Sequence, residues 1–183
     1  MKVFITGHTS GIGLATYNLL QLNGYTVSGG SRSTGWDLSD RENYHNVLDY
    51  DVLVNNAVCQ GYQLELLRYV YASWQGKTKT IINVGSAHSK HQIGRPLARL
   101  DYNVNKASLE QYSNWIYEND NICRSMMYNP GFVDTPLART GMNEWPLADQ
   151  KQVLERAMDP KTCAETIKFM IENKNSFREV THG

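Results

Sequence analysis

What the chain lacks narrows its chemistry before any motif is read. It has three cysteines, Cys59, Cys123 and Cys163, and they follow no metal-ligand spacing. Their odd number resists full pairing, so they are expected to be reduced thiols filling the core of a cytoplasmic protein, with no metal site. Neither sign of charge is in excess: 18 basic residues face 18 acidic ones, and the pI is about 7.0. Lys and Arg are scattered along the chain, which argues against electrostatic binding to nucleic acid or to an anionic membrane. No apolar run approaches membrane-spanning length, and Met1-Lys2 leads straight into the strand-like VFIT, leaving no room for a signal peptide. Repeats, low-complexity tracts and linkers are absent too, and the aperiodic stretches that carry proline fall around 87–100 and 130–147. Small-molecule chemistry is the class that survives these exclusions.

What is present is an alternation. The 183 residues suffice for one well-buried core and are few for two, so a single domain over 1–183 is expected. Short apolar runs (KVFIT, YTVSGG, DVLVN, KTIINV, NICRSMMY) alternate with helical periods in GIGLATYNLLQLN, RENYHNVL, QLELLRYVYASW, the segment around YNVNKASLEQY, and DPKTCAETIKFMIEN. FREV is a candidate last strand. This grammar predicts an α/β fold, a Rossmann-like doubly wound parallel sheet. Ile12, Ala15, Leu19 and Leu22 are expected to form the core face of the first helix, and Cys163, Ile167, Met170 and Ile171 that of the last. Both proline-bearing stretches follow strand ends, where such sheets bind ligands.

Two patterns carry chemistry. TGHTSGIG follows the first strand and opens the first helix, placing Gly7, Gly11 and Gly13 in the turn between them. Glycine there permits unusual backbone angles and lets main-chain N–H groups, aided by the helix dipole, approach a pyrophosphate. The plainer alternative is a tight turn with close helix–sheet packing. Tyr102 and Lys106 stand one helical turn apart in YNVNKASLEQY. A free tyrosine titrates near pH ~10 and a cation beside it favours the phenolate, so the pair has the makings of a tuned acid/base. Among 11 tyrosines, chance alone can supply that spacing.

Together the segments resemble the short-chain dehydrogenase/reductase family. Thr6-Gly7-x-x-x-Gly11-x-Gly13 looks like its cofactor loop, Asn55-Asn56-Ala57 like its NNA segment, IINVGS ending at Ser86 like its active-site serine strand, and Tyr102/Lys106 like its YxxxK. Pro130-Gly131-Phe132-Val133-Asp134-Thr135 is similar to the segment that holds the nicotinamide carboxamide. The resemblance implies hydride transfer between a nicotinamide cofactor and a small carbonyl or alcohol. Tyr102 would be the proton donor or acceptor, Lys106 would lower its pKa and bond the nicotinamide ribose, and Ser86 would orient the substrate oxygen. It implies cofactor contacts from Gly7, Thr9, Ser10, Gly11, Ile12, Gly13, Asn56, Ala57, Tyr102, Lys106, Pro130, Gly131, Val133 and Thr135, and, at the adenine end, from Ser31, Arg32, Asp37 and Leu38. A carboxylate at the end of the second strand would bond a ribose 2′-hydroxyl and repel a 2′-phosphate. Ser31 stands where NAD-using relatives often carry Asp, and Arg32 follows, so NADP is expected and NAD is the alternative. Helices 63–74 and 103–118 resemble the pair with which relatives form dimers, with Trp74, Tyr112 and Trp115 suited to a homodimer or homotetramer interface or, equally, to the monomer core.

The chain also departs from the family pattern. Arg32 and Asp37 are too close for the usual helix and strand between them, so the crossover after the second strand must be cut down. The helix QLELLRYVYASW contains no counterpart of the family asparagine that takes part in proton relay. The gap from Ser86 to Tyr102 is long, which makes Ser89 a runner-up serine and puts His88, Lys90, His91, Arg95 and Arg99 in the intervening loop. Met142 and Trp145 are apolar candidates for substrate contact. A dinucleotide-binding sensor with little or no catalysis is therefore a second reading of the same residues.

Overall fold

The apolar runs at the centre of the sheet become strands because each is buried on two faces at once, whereas the two edge runs are only partly covered. In a computed structural model, which describes residues 1–87, 100–143 and 145–182, β1 (Lys2–Thr6), β2 (Thr26–Gly30), β3 (Val52–Asn55), β4 (Thr80–Val84), β5 (Arg124–Asn129) and β6 (Glu179–Thr181) form one sheet. Its order is β2-β1-β3-β4-β5-β6, and every neighbouring pair is parallel. Alternate residues go to opposite faces. Phe4, Leu53, Ile81 and Met127 meet α2 (Tyr62–Trp74) and α3 (Leu100–Asn119), while Val3, Ile5, Val52, Val54, Ile82 and Met126 meet α1 (Gly11–Leu22) and α6 (Pro160–Glu172). Two covered faces are why the strands read as nearly unbroken apolar sequence. Two short helices, α4 (Pro136–Thr140) and α5 (Leu147–Glu155), follow β5.

The chain leaves β1 toward β2 and then returns to the other side of β1 to build β3. That reversal opens a crevice above the carboxyl ends of β1 and β3, where ligands bind in such sheets. The returning crossover is as short as expected. It holds two 3-10 segments, Arg32–Thr34 and Arg41–Val47, the second in place of the predicted α-helix. Tyr44 and Val47, three residues apart, eclipse one another at the 3-10 period and are both buried. Bulky side chains do the covering that a longer crossover would do. Trp36 lies over Gly30, where a Cβ would sit 2.2 Å from its ring, and 5.5 Å from the Phe4 ring. Its indole N–H donates to Asn43 O (3.2 Å), and the Tyr44 hydroxyl donates to Leu38 O (3.0 Å).

Two expectations need correction. The buried stripe of α1 is Gly13, Thr16 and Leu20, whereas Leu22 is 86 % exposed and Ala15 and Leu19 are half-buried. Close approach at Gly13 sets the helix rotation, and that favours positions three and seven residues on. Met142 is buried and neither it nor Trp145 lines the crevice, so their proposed contact with substrate is not supported by position. The α6 stripe is buried as expected. Trp74 belongs to the core, donating its N–H to Leu48 O (3.2 Å), while Tyr112 is half-buried and Trp115 exposed. Among the described residues no helix is long and apolar enough to cross a membrane.

Candidate active site

The crevice is a cavity of about 1170 Å³. One wall is the glycine loop. Gly7 and Gly11 adopt φ of +72° and +51°, which a side chain would strain. Gly13 does not line the cavity: it faces Gly7, and a Cβ on it would lie 2.2 Å from Gly7 O. Ser10 caps α1 without a side-chain hydrogen bond to the first turn, so the helix N-terminus beside Gly11 and Ile12 is left to the cavity. The Thr6 hydroxyl accepts from the N–H groups of Asn56 (2.9 Å) and Ala57 (2.8 Å), and Asn56 Nδ2 donates to Thr6 O (3.0 Å). These bonds stitch the NNA segment to the loop. A cradle emptied of Cβ atoms beside an uncapped helix N-terminus fits a pyrophosphate.

At the adenine end, Thr9, Ser31 and Ser33 form a cluster of hydroxyls 2.9–3.1 Å apart, and Arg32 lines the same mouth. Asp37 Oδ1 accepts from the backbone N–H and hydroxyl of Ser39, and these bonds, assisted by the Arg32 charge, hold its carboxyl below the usual range. Asp37 and Leu38 both line the cavity. On the far side, the Pro130–Thr135 segment is pinned by Met158, which bridges Val133 and exchanges backbone bonds with Phe132 and Asp134. Thr135 caps α4 and approaches the position of a Gly11 Cβ to 3.0 Å, bringing the β5–α4 segment up to the glycine loop.

Ser86, Tyr102 and Lys106 all open into this cavity. Ser86 is buried at the end of β4, fixed by backbone bonds from Gly85 N to Tyr128 O (2.7 Å) and from Ala87 N to Pro130 O (2.9 Å). The Tyr102 ring is 37 % exposed, and Lys106 Nζ lies 5.7 Å from its centroid. Lys106 itself is buried, donating to Val84 O (2.6 Å) and Gln63 Oε1 (2.8 Å). Burial pulls its pKa down from 10.5 to about 7. Gln63 is the residue the sequence reading passed over, and its one signal is a glutamine in the first turn of the helix that follows the NNA segment. Cys59, expected as core filler, lines the cavity as well, whereas Cys123 and Cys163 are buried. His88, Ser89, Lys90, His91, Arg95 and Arg99 lie outside the described residues. Among the described residues no cluster could hold a metal ion.

A depressed lysine makes a stability prediction. Between pH 7 and 10.5 the unfolded chain binds the Lys106 proton and the folded one releases it, so stability rises with pH in that window. Relative to Lys106→Met, the wild type should gain on the order of 1 kcal/mol per pH unit there in urea melts. Parallel curves for the two proteins would refute the depressed pKa.

A parallel doubly wound sheet with a glycine loop at its switch point places the chain among Rossmann-like folds. Comparison with solved structures narrows this: the fold is that of short-chain dehydrogenases/reductases. A 3-alpha-hydroxysteroid dehydrogenase from Pseudomonas sp. B-0831 complexed with NADH matches with a TM-score of 0.79 at 22 % identity, over 99 % of this chain and 94 % of that one. A 3-ketoacyl-(acyl-carrier-protein) reductase from Brucella melitensis complexed with NADH gives 0.80 at 18 % identity, over 98 % and 95 %. A small-chain dehydrogenase in complex with NADPH gives 0.78 at 19 %, over 100 % and 96 %. No family model and no curated protein matches the chain.

Proposed function

We propose that this chain is a short-chain-type oxidoreductase, cytoplasmic, that interconverts a small carbonyl and its alcohol with NADP(H). The observation that carries the reading is the placement of Lys106: buried acceptors fix its Nζ 5.7 Å from the Tyr102 ring, in the same cavity as the glycine cradle. When bound, the nicotinamide supplies or accepts the hydride. In the reducing direction the Tyr102 hydroxyl gives its proton to the carbonyl oxygen and becomes a phenolate, which the Lys106 ammonium stabilises; solvent then returns the proton. Ser86, rigid at the end of β4, donates to the same oxygen and orients it. Gly7, Thr9, Ser10, Gly11, Ile12, Asn56, Ala57, Pro130, Gly131, Val133 and Thr135 line the dinucleotide path, with Gly13 behind it as the packing glycine. A homodimer or homotetramer through the exposed parts of α2 and α3 is the assembly this reading implies, with Trp115 rather than Trp74 at its surface.

Arg32 and the Thr9/Ser31/Ser33 hydroxyls support NADPH over NADH, because a 2′-phosphate would find a cation and neutral donors there. Titration with both cofactors tests this, together with turnover on ketone and aldehyde panels. Arg32→Ala should weaken NADPH about 10- to 100-fold, the loss of one charge-assisted bond, and leave NADH within about twofold. Micromolar preference for NADH in the wild type would overturn the assignment. The sensor reading rested on the deletions and the missing asparagine; the direct Gln63–Lys106 bond weakens the second ground and leaves the first.

A further inference from the structure

Behind the cavity lies a polar chain that a packed core does not require. Gln63 is 4 % exposed, and its carboxamide is held in one orientation. Nε2 donates to Asn55 O (2.6 Å) and Val84 O (3.1 Å), which leaves Oε1 facing Lys106 Nζ at 2.8 Å. Turned over, the amide would set its NH2 against an ammonium and its oxygen against two carbonyls, so the assignment of O and N is fixed by the partners. Asn55 completes the clamp by donating from Nδ2 to Gln63 O (2.9 Å) and to Asn83 Oδ1 (3.0 Å). Asn83 in turn donates to the hydroxyls of Ser113 (3.2 Å) and Ser125 (3.3 Å). The clamp spans β3, β4, β5 and α3, so Gln63 cannot drift along with the first turn of α2.

We propose that Gln63 is a positioning residue, whose carboxamide holds Lys106 Nζ against the β4 end and aimed at Tyr102. The inference rests on the oxidoreductase reading for its catalytic consequence, though not for the hold itself. A lysine from α3 must cross the core edge to reach this point, and Val84 O alone offers it one acceptor. Gln63 adds a second, neutral acceptor that stabilises the ammonium without quenching it as a carboxylate would. Among the described residues, the titratable groups that share the cavity are Tyr102 from the same helix, Cys59 from the β3–α2 segment, and Asp37 and Arg32 at the far end. Burial is the cause of the lysine shift, so the acceptors at Nζ are the local means of offsetting it.

The test is a pair of variants read in two ways. In protein labelled with ε-13C-lysine, with the Lys106 signal assigned by its loss in Lys106→Met, the titration of that lysine is followed by NMR. Gln63→Met should move it down by roughly one pH unit and Gln63→Glu up by roughly one or more, because one removes an acceptor and the other sets a charge beside the ammonium. With NADPH and a carbonyl substrate, Gln63→Met should lower kcat about tenfold or more, with NADPH affinity within about threefold and the pH profile of kcat displaced in the direction of the lysine titration. An unmoved lysine titration in a folded Gln63→Glu overturns the proposal, and so does loss of turnover in both variants with the wild-type pH profile, which marks a merely structural amide. If the wild type transfers no hydride, the proposed function fails while the lysine titration still decides the role of Gln63.

Discussion

Tyr102→Phe should lower kcat by about 10²–10⁴-fold, the span usual for a lost general acid, while NADPH affinity changes less than about threefold. The change removes one oxygen and leaves the ring, so the apolar wall of the cavity and the 5.7 Å approach of Lys106 to the ring survive. The side chain is 37 % exposed and outside both core clusters, which limits the cost to about 0.5 kcal/mol and keeps the melting temperature close to that of the wild type. In the proposed complex the glycine cradle and the Arg32 mouth would carry most of the binding, and the change touches neither. The two readouts should therefore separate cleanly. A Phe variant that keeps more than about a tenth of wild-type turnover would mean that the proton reaches the substrate without Tyr102, and would sink the mechanism. Loss of NADPH binding in step with turnover would instead show the ring to be a binding element.

How much of this was legible in the sequence follows from the range of each interaction. The glycine loop and the Tyr102/Lys106 spacing are local patterns, set by one turn of chain; Gly7, Gly11, Tyr102 and Lys106 line one cavity, with Gly13 packed behind the loop. The shortened crossover was legible by counting, since the four residues between Arg32 and Asp37 leave no room for a helix and a strand. What fills the gap was not, because Trp36 covers Gly30 only after the chain has turned through a left-handed Gly35. The face of α1 misled for a similar reason. Apolar period favours Leu22, but the approach of α1 to the Gly7 turn through Gly13 fixes the rotation and sends Leu22 to solvent. Gln63 was invisible because its role depends on where α2 starts relative to the ends of β3 and β4, and on a lysine 43 positions away. A polar residue in an amphipathic helix reads as surface until the strands that receive it are placed.

Gly13→Ala makes the sharpest separation between local propensity and tertiary contact. Gly13 is the third residue of α1, and on helix propensity alone alanine there should add about 1 kcal/mol of stability. The packing predicts the opposite sign. A Cβ would stand 2.2 Å from Gly7 O and 2.8 Å from Gly7 C, and these are backbone atoms that no rotamer change can move aside. Either α1 lifts from β1 or the Gly7 turn shifts, and overpacking of this kind costs about 1–3 kcal/mol or more. Both responses displace the N–H groups of the cradle, so dinucleotide affinity should fall by more than about tenfold, equivalent to ~1.4 kcal/mol, beyond the loss of stability. Leu22→Ala, on the same helix but 86 % exposed, should change stability by less than about 0.5 kcal/mol and leave binding alone. Urea melts and NADPH titrations on the two variants decide the matter, because a stabilised Gly13→Ala that still binds cofactor would show that the loop has room for a side chain and that its third glycine is dispensable.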